Sequence, residues 1–119
     1  EFSQLNTTDK KIAEQHFSGV FKKRQVKSKS IQNILDNSKY KNKKIDFLNI
    51  DIEGGEYEVI SSINLDKFKI KVICVEILEY NEIQKNNKKK IIRILKKNNF
   101  KKVNKIRENY IFKKSHNKK

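Results

Sequence analysis

Two short apolar runs constrain this chain most, because residues 45–52 and 70–78 are rich in β-branched side chains and are bounded by polar sequence. Runs of this length and composition are typical of β-strands. The first run stops at Gly54 and Gly55, a pair that permits a tight turn from a strand into a helix. The second run is nearly continuous, which is the pattern of a central parallel strand covered on both faces. We therefore predict two buried strands.

A segment with helical periodicity follows each of these strands. Apolar residues recur at helical spacing over residues 56–62 and 82–97, and Glu56 and Glu58 suit the positive end of the first helix dipole. Periodicity and turn residues predict further elements: a helix over 9–16, a strand over 20–28, a helix from Ser30 that closes at 36–38, and an antiparallel hairpin of 100–106 and 109–113. Strands that alternate with helices around two apolar strands indicate a single open α/β sheet.

The chain is strongly basic, and two explanations are open. Its 119 residues carry 29 Lys and Arg against 14 Asp and Glu, a formal net charge of +15 at pH 7. Lys, Ile and Asn, whose codons are rich in adenine and thymine, make up nearly half of the sequence, and Arg is rare. A surface evolved for phosphate would use more Arg, because the planar guanidinium binds phosphate bidentately. Genomic base composition is therefore the favoured explanation of the positive charge. A small nucleic-acid-binding protein is the alternative, and its candidate aromatic residues are Tyr40, Phe68, Phe100, Tyr110 and Phe112.

Several classes of protein do not fit the sequence. The apolar runs are far shorter than the roughly 20 residues that a membrane-spanning helix needs, and no signal peptide is visible. Cys74 is the only cysteine, which excludes an intramolecular disulfide and fits a reducing compartment, so we expect a cytoplasmic protein. His16 and His116 are far from it in sequence, so no metal-ligand spacing is present. The chain contains no Met, and we expect a processed product or a fragment.

Three acidic residues lie at the ends of the two predicted strands. Asp51 and Glu53 close the first strand, two residues apart and hence on one face, and Glu76 closes the second. Ligands of open α/β sheets bind beyond the carboxyl ends of the strands, so these carboxylates are candidates for lining a site. Alternatively, Glu53 could face solvent, Asp51 could accept backbone hydrogen bonds from the following turn, and Glu76 could pair with a nearby lysine. A metal-dependent nuclease with the same three acids is a further alternative, although the lysine that such sites usually add is absent after Glu76.

The sequence around these acids resembles a known family. Residues 45–60, IDFLNIDIEGGEYEVI, followed by KVICVE at 71–76, closely resemble the FkbM family of S-adenosylmethionine-dependent methyltransferases. In that family a hydrophobic strand ends in an acidic residue, any residue, Glu and Gly. A Glu-rich helix follows, and a later strand ends in Glu. The resemblance covers residues 26–114, which leaves 1–25 as a polar N-terminal segment and 115–119 as a basic tail.

The resemblance implies the C-terminal half of a class I, Rossmann-like methyltransferase sheet that ends in an antiparallel hairpin. Such enzymes hold S-adenosylmethionine mainly through a glycine-rich loop after their first strand. Gly19 is the only glycine of this chain outside the pair Gly54 and Gly55, so the loop is missing. We therefore expect a fragment that is inactive when isolated.

The resemblance also implies roles for single residues. By position, Asp51 and Glu53 are the expected catalytic residues, with Asp51 orienting or deprotonating the acceptor hydroxyl. Gly54 and Glu76 are expected on the cofactor side. The implied reaction is O-methylation of a small hydroxyl acceptor such as a sugar or a secondary metabolite. No metal, no specific nucleic acid and no membrane span are expected.

Overall fold

The computed structural model describes residues 28–116 as a mixed α/β fold with one four-stranded sheet. The elements in chain order are α1 (Ile31–Asp36), β1 (Phe47–Ile50), α2 (Glu56–Ser62), β2 (Val72–Glu76), α3 (Glu82–Lys97), β3 (Phe100–Ile106) and β4 (Asn109–Lys114). The helix predicted over 9–16 lies outside the described residues. The strand predicted over 20–28 also lies outside them, except for Ser28, which is in neither a helix nor a strand.

Capping side chains mark where two of the helices begin. The Ser30 hydroxyl accepts a hydrogen bond from the Asn33 N–H at 3.1 Å, so α1 starts where the sequence predicts. Asn81 caps α3 in the same way through the Gln84 N–H at 2.8 Å. Each acceptor satisfies a backbone donor that a helix N-terminus leaves free. Helices α2 and α3 have the predicted bounds, and no helix among the described residues has the length and apolar character needed to cross a membrane.

The strand order in the sheet is β1-β2-β4-β3. β1 and β2 pair in parallel, and β4 pairs antiparallel with both β2 and β3. The predicted hairpin of β3 and β4 is therefore confirmed, with β4 one residue longer than expected. Because β1 and β2 are parallel neighbours, their carboxyl ends reach the same edge of the sheet.

The hydrophobic core lies on one face of this sheet. Alternate residues of the two central strands, Ile73 and Val75 in β2 and Tyr110 and Phe112 in β4, are at most 2 % exposed. They pack with buried residues of the helices and connecting segments: Ile60, Ile63, Leu65, Phe68, Ile91 and Leu95. Burial of each large apolar side chain stabilises the fold by about 1.5–3 kcal/mol. Helices α2 and α3 are therefore held on this face.

Within residues 28–116 the opposite face of the sheet is only partly covered, so the prediction of strands buried on both faces is wrong for the described part of the chain. Val72, Cys74 and Glu76 alternate with the core residues of β2 and are half-buried. β1 is shorter than predicted, and its Phe47 side chain is 58 % exposed. Within residues 28–116, β1 pairs on one side only and forms an edge of the sheet. An apolar run thus predicts a strand, but it does not reveal how many faces the helices cover.

Candidate active site

The carboxyl ends of β1 and β2 bring two of the predicted acidic residues together. Ile50 pairs with Val75, so Asp51 and Glu76 occupy the next positions along neighbouring strands. Adjacent strands lie about 4.8 Å apart. Asp51 is exposed, whereas Glu76 is half-buried. The register therefore places one exposed and one partly enclosed carboxyl group side by side.

Three other carboxyl groups lie near Glu76. Burial raises the pKa of Glu76 from an ordinary value of 4.5 to about 7, and the charges of Asp51, Glu56 and Glu53 and a hydrogen bond with Asp51 act in the same direction. Glu76 therefore keeps its proton to a higher pH than an ordinary glutamic acid does.

No lysine neutralises this cluster within the described part of the chain. The ion pairs found there join lysines to other acids, namely Asp36, Asp46, Asp66, Glu79 and Glu82. The alternative in which Glu76 pairs with a nearby lysine is wrong for these residues.

Glu56, the first residue of α2, fixes the loop that joins β1 to α2. Its side chain is buried, and its two oxygens accept hydrogen bonds from the N–H groups of Ile52 at 3.2 Å and Gly54 at 3.0 Å. A buried carboxylate is costly unless it is paired, and here two backbone donors and the positive end of the helix dipole stabilise it. The sequence alone predicts only an interaction of Glu56 with the helix dipole. An acidic residue directly after a glycine turn is the signal that could have identified this second role.

The acidic loop, defined as residues 51–55, departs from strand geometry. β1 ends at Ile50, so the two-residue alternation that was to place Asp51 and Glu53 on one face does not extend to them. Glu53 has a φ of 52°, in the left-handed region of backbone conformation that residues other than glycine seldom adopt. The turn still brings Glu53 close enough for its charge to raise the pKa of Glu76. The loop, rather than the strand, gathers the acids.

The two glycines of the acidic loop are expected to respond differently to alanine. Gly54 has φ 118°, so Gly54→Ala is expected to lower the free energy of unfolding by about 1 kcal/mol. Gly55 has an ordinary φ of −105°, and an added Cβ would meet the Ile52 Cδ1 atom at 2.8 Å. Ile52 is 50 % exposed and can turn away, so Gly55→Ala is expected to cost less. Urea denaturation compares the two variants. Equal losses would contradict a left-handed conformation at Gly54.

Cys74 lies two residues before Glu76 on the half-buried face of β2. Burial, and then the charge of Asp51, raise the pKa of its thiol. The thiol therefore stays protonated at neutral pH and is a weak nucleophile. Among residues 28–116, no three or more His, Cys, Asp and Glu side chains are arranged to hold a metal ion. The acids at this edge of the sheet suit the binding of an organic cation or the movement of a proton.

The aromatic residues behind the nucleic-acid alternative are mostly core residues. Phe68, Phe100, Tyr110 and Phe112 are each at most 4 % exposed, and only Tyr40 of this set is exposed, at 53 %. Stacking on nucleic-acid bases needs an accessible aromatic ring. These residues therefore form no stacking surface, and the nucleic-acid alternative is not supported.

Comparison with known proteins supports a single family. The chain matches the family model described as the methyltransferase FkbM domain over residues 1–102. The matched range contains the acidic loop, Glu56 and Glu76, and also residues 1–25, which sequence analysis placed outside the domain. No curated protein and no solved structure matches the chain. Because the family match spans most of the 119 residues, this chain belongs to the FkbM methyltransferase domain family.

Proposed function

We propose that the chain is the C-terminal part of a domain that transfers a methyl group from S-adenosylmethionine to the hydroxyl of a small acceptor, such as a sugar or a secondary metabolite. Family membership supports methyl transfer as the reaction. The observation that carries the proposal is the group of four carboxyls at the shared carboxyl edge of β1 and β2, with no lysine partner in the described part of the chain.

Asp51 is the proposed residue on the acceptor side. Transfer of a methyl group to a hydroxyl releases a proton, and a carboxylate beside the oxygen can orient the hydroxyl and accept that proton. Asp51 is exposed and can reach a bound molecule, and Glu76 occupies the adjacent position at the end of β2. Glu53 is the proposed second contact to the acceptor. Correct alignment of the hydroxyl is the larger contribution, because in-line displacement depends on the approach of the two reacting atoms.

The same carboxyl groups fit the charge of the proposed cofactor. S-adenosylmethionine supplies an electrophilic methyl group on a positively charged sulfonium. Carboxylates without lysine partners attract such a cation, and their oxygens also accept hydrogen bonds from ribose hydroxyls. Glu76 is proposed for this side of the site. Gly54 is also proposed for the cofactor side, where its lack of a side chain allows a close approach of the backbone. Its N–H is not available to the cofactor because it is donated to Glu56.

The isolated chain is proposed to lack activity. Its three glycines do not supply the glycine-rich loop through which the family holds its cofactor. β1 is an edge of the described sheet, and its outer side leaves backbone groups that a further strand could pair. Our proposed domain boundaries remain 26–114, with 1–25 and 115–119 outside, although the family match starts earlier and ends at residue 102.

Calorimetric titration with S-adenosylmethionine tests this proposal. The present chain is expected to give no measurable heat of binding. A longer protein with a glycine-rich strand, loop and helix upstream is expected to bind the cofactor and to methylate a hydroxyl acceptor. In that protein Asp51→Asn is expected to lower kcat by about 10²–10⁴-fold, the usual contribution of a positioned acid or base.

Glu58→Gln is the matched control in the longer protein, because Glu58 is exposed on α2 and lies outside the acidic loop. An unchanged kcat in Asp51→Asn would remove Asp51 from the catalytic residues, and an unchanged turnover in Glu53→Gln would do the same for Glu53. Tight binding of S-adenosylmethionine by the present chain would contradict the assignment of the main cofactor site to an upstream segment.

A further inference from the structure

A basic cavity lies at the edge of the sheet opposite the acidic loop, where β1 and β2 begin and β4 ends. Its volume is about 350 Å³, within the range of small-molecule sites. Most of the residues that line it carry basic side chains: Lys44, Lys69, Lys71, Lys113, Lys114 and His116. One acidic residue, Asp66, also lines the cavity. The sheet thus has a group of acidic residues at one edge and a hollow lined mostly by basic residues at the other.

The positive charge at this cavity is only partly balanced. Two of its lysines have acidic partners, at 3.2 Å from Lys71 to Asp46 and at 3.3 Å from Lys114 to Asp66. Three others have no ion pair within residues 28–116: Lys44, Lys69 and Lys113. Ammonium groups that share a concave surface raise its positive potential, and an anion bound there relieves their mutual repulsion.

Backbone hydrogen bonds fix the rim of the cavity. The Lys114 N–H donates to the Lys71 carbonyl at 2.8 Å, and the Lys71 N–H donates to the Ile45 carbonyl at 3.1 Å. Base composition accounts for the number of lysines in the chain, but it does not account for their convergence from segments that are far apart in sequence. Because the backbone holds these segments in place, little ordering of the main chain is needed when a ligand binds.

The floor of the cavity is apolar. Leu65 and Ile70, which contribute to its lining, are 4 % and 1 % exposed. A ligand that matches both floor and rim has an apolar body and a compact group with more than one negative charge. Lysine binds phosphate as a point charge. We propose that this cavity binds a small organic phosphate through Lys44, Lys69 and Lys113, at a site separate from the proposed methyl transfer.

An NMR titration of the full chain with phenyl phosphate, in about 0.15 M salt to screen diffuse attraction, tests the proposal. Saturable shifts are expected for the backbone amides of residues 69–71 and 113–114. The triple variant Lys44→Gln, Lys69→Gln and Lys113→Gln is expected to bind about tenfold more weakly, as the loss of three screened ion pairs implies. All three side chains are exposed, so the fold is expected to tolerate the change.

The matched control removes three exposed lysines from α3, as Lys89→Gln, Lys96→Gln and Lys97→Gln. It changes the net charge equally and is expected to leave affinity within about twofold, because screened charges at a distance contribute little. Equal weakening in both triple variants would overturn the proposal in favour of diffuse attraction. Absence of saturable shifts in the unmodified chain would also overturn it, whatever the variants do. Inorganic phosphate is the second probe, and an affinity equal to that of phenyl phosphate would contradict a role for the apolar floor.

Discussion

Replacement of Glu56 with alanine is expected to lower the free energy of unfolding by about 2–4 kcal/mol. The side chain is 7 % exposed, and its carboxylate accepts the N–H groups of Ile52 and Gly54. A hydrogen bond to a charged group contributes about 1.5–3 kcal/mol, and Glu56→Ala removes two of them from partly exposed donors. The charge also stabilises the N-terminus of α2. Urea denaturation followed by circular dichroism measures the loss.

Two variants separate the loop contacts from the helix dipole. Glu58→Ala removes an exposed acidic residue from the same first turn of α2, and we expect a loss of less than about 0.5 kcal/mol. Glu56→Gln keeps one acceptor oxygen in place of two, so an intermediate loss is expected. If Glu56→Ala and Glu58→Ala destabilised the chain equally, the dipole would account for both residues and Glu56 would not hold the acidic loop.

Much of the fold could be predicted because its signals are local. Apolar spacing gave the bounds of α2 and α3, and turn residues separated the two strands of the hairpin. The degree of burial could not be predicted in this way. A strand such as β2 has the same apolar composition whether helices cover one face or two, and that difference depends on parts of the fold that its own sequence does not encode.

The candidate site could also be predicted only in part. Parallel pairing follows from the order of the elements, so the meeting of Asp51 and Glu76 at one edge could be expected. The role of Glu56 could not, because it depends on hydrogen bonds to two loop amides and on burial, which only the folded loop creates. The lysines of the basic cavity were also missed. They look dispersed along the sequence, and the sheet brings them together.

The variant Glu76→Gln is expected to be more stable than the unmodified chain above pH 7, by about 2 kcal/mol. The folded chain keeps the Glu76 proton up to a pKa of about 7, whereas the unfolded chain loses it near the ordinary value of 4.5. Folding therefore takes up a proton between these pH values, and stability falls as pH rises through the window. A pKa unit corresponds to about 1.36 kcal/mol, and solvent screening at this half-buried side chain reduces the full amount. Urea denaturation at pH 4 and at pH 8 measures the difference.

The direction of the stability change distinguishes an acidic residue that neighbouring carboxylates destabilise from one that a lysine stabilises. Glu79→Gln is the control, because a hydrogen bond from Lys88 lowers the pKa of Glu79, and its replacement is expected to destabilise the chain at pH 8. The advantage of Glu76→Gln should disappear at pH 4, where Glu76 is protonated in both states. It should also shrink in an Asp51→Asn background, because removal of the Asp51 charge lowers the pKa of Glu76. A Glu76→Gln variant less stable than the unmodified chain at pH 8 would contradict the crowding of carboxyl groups on which the proposed site depends.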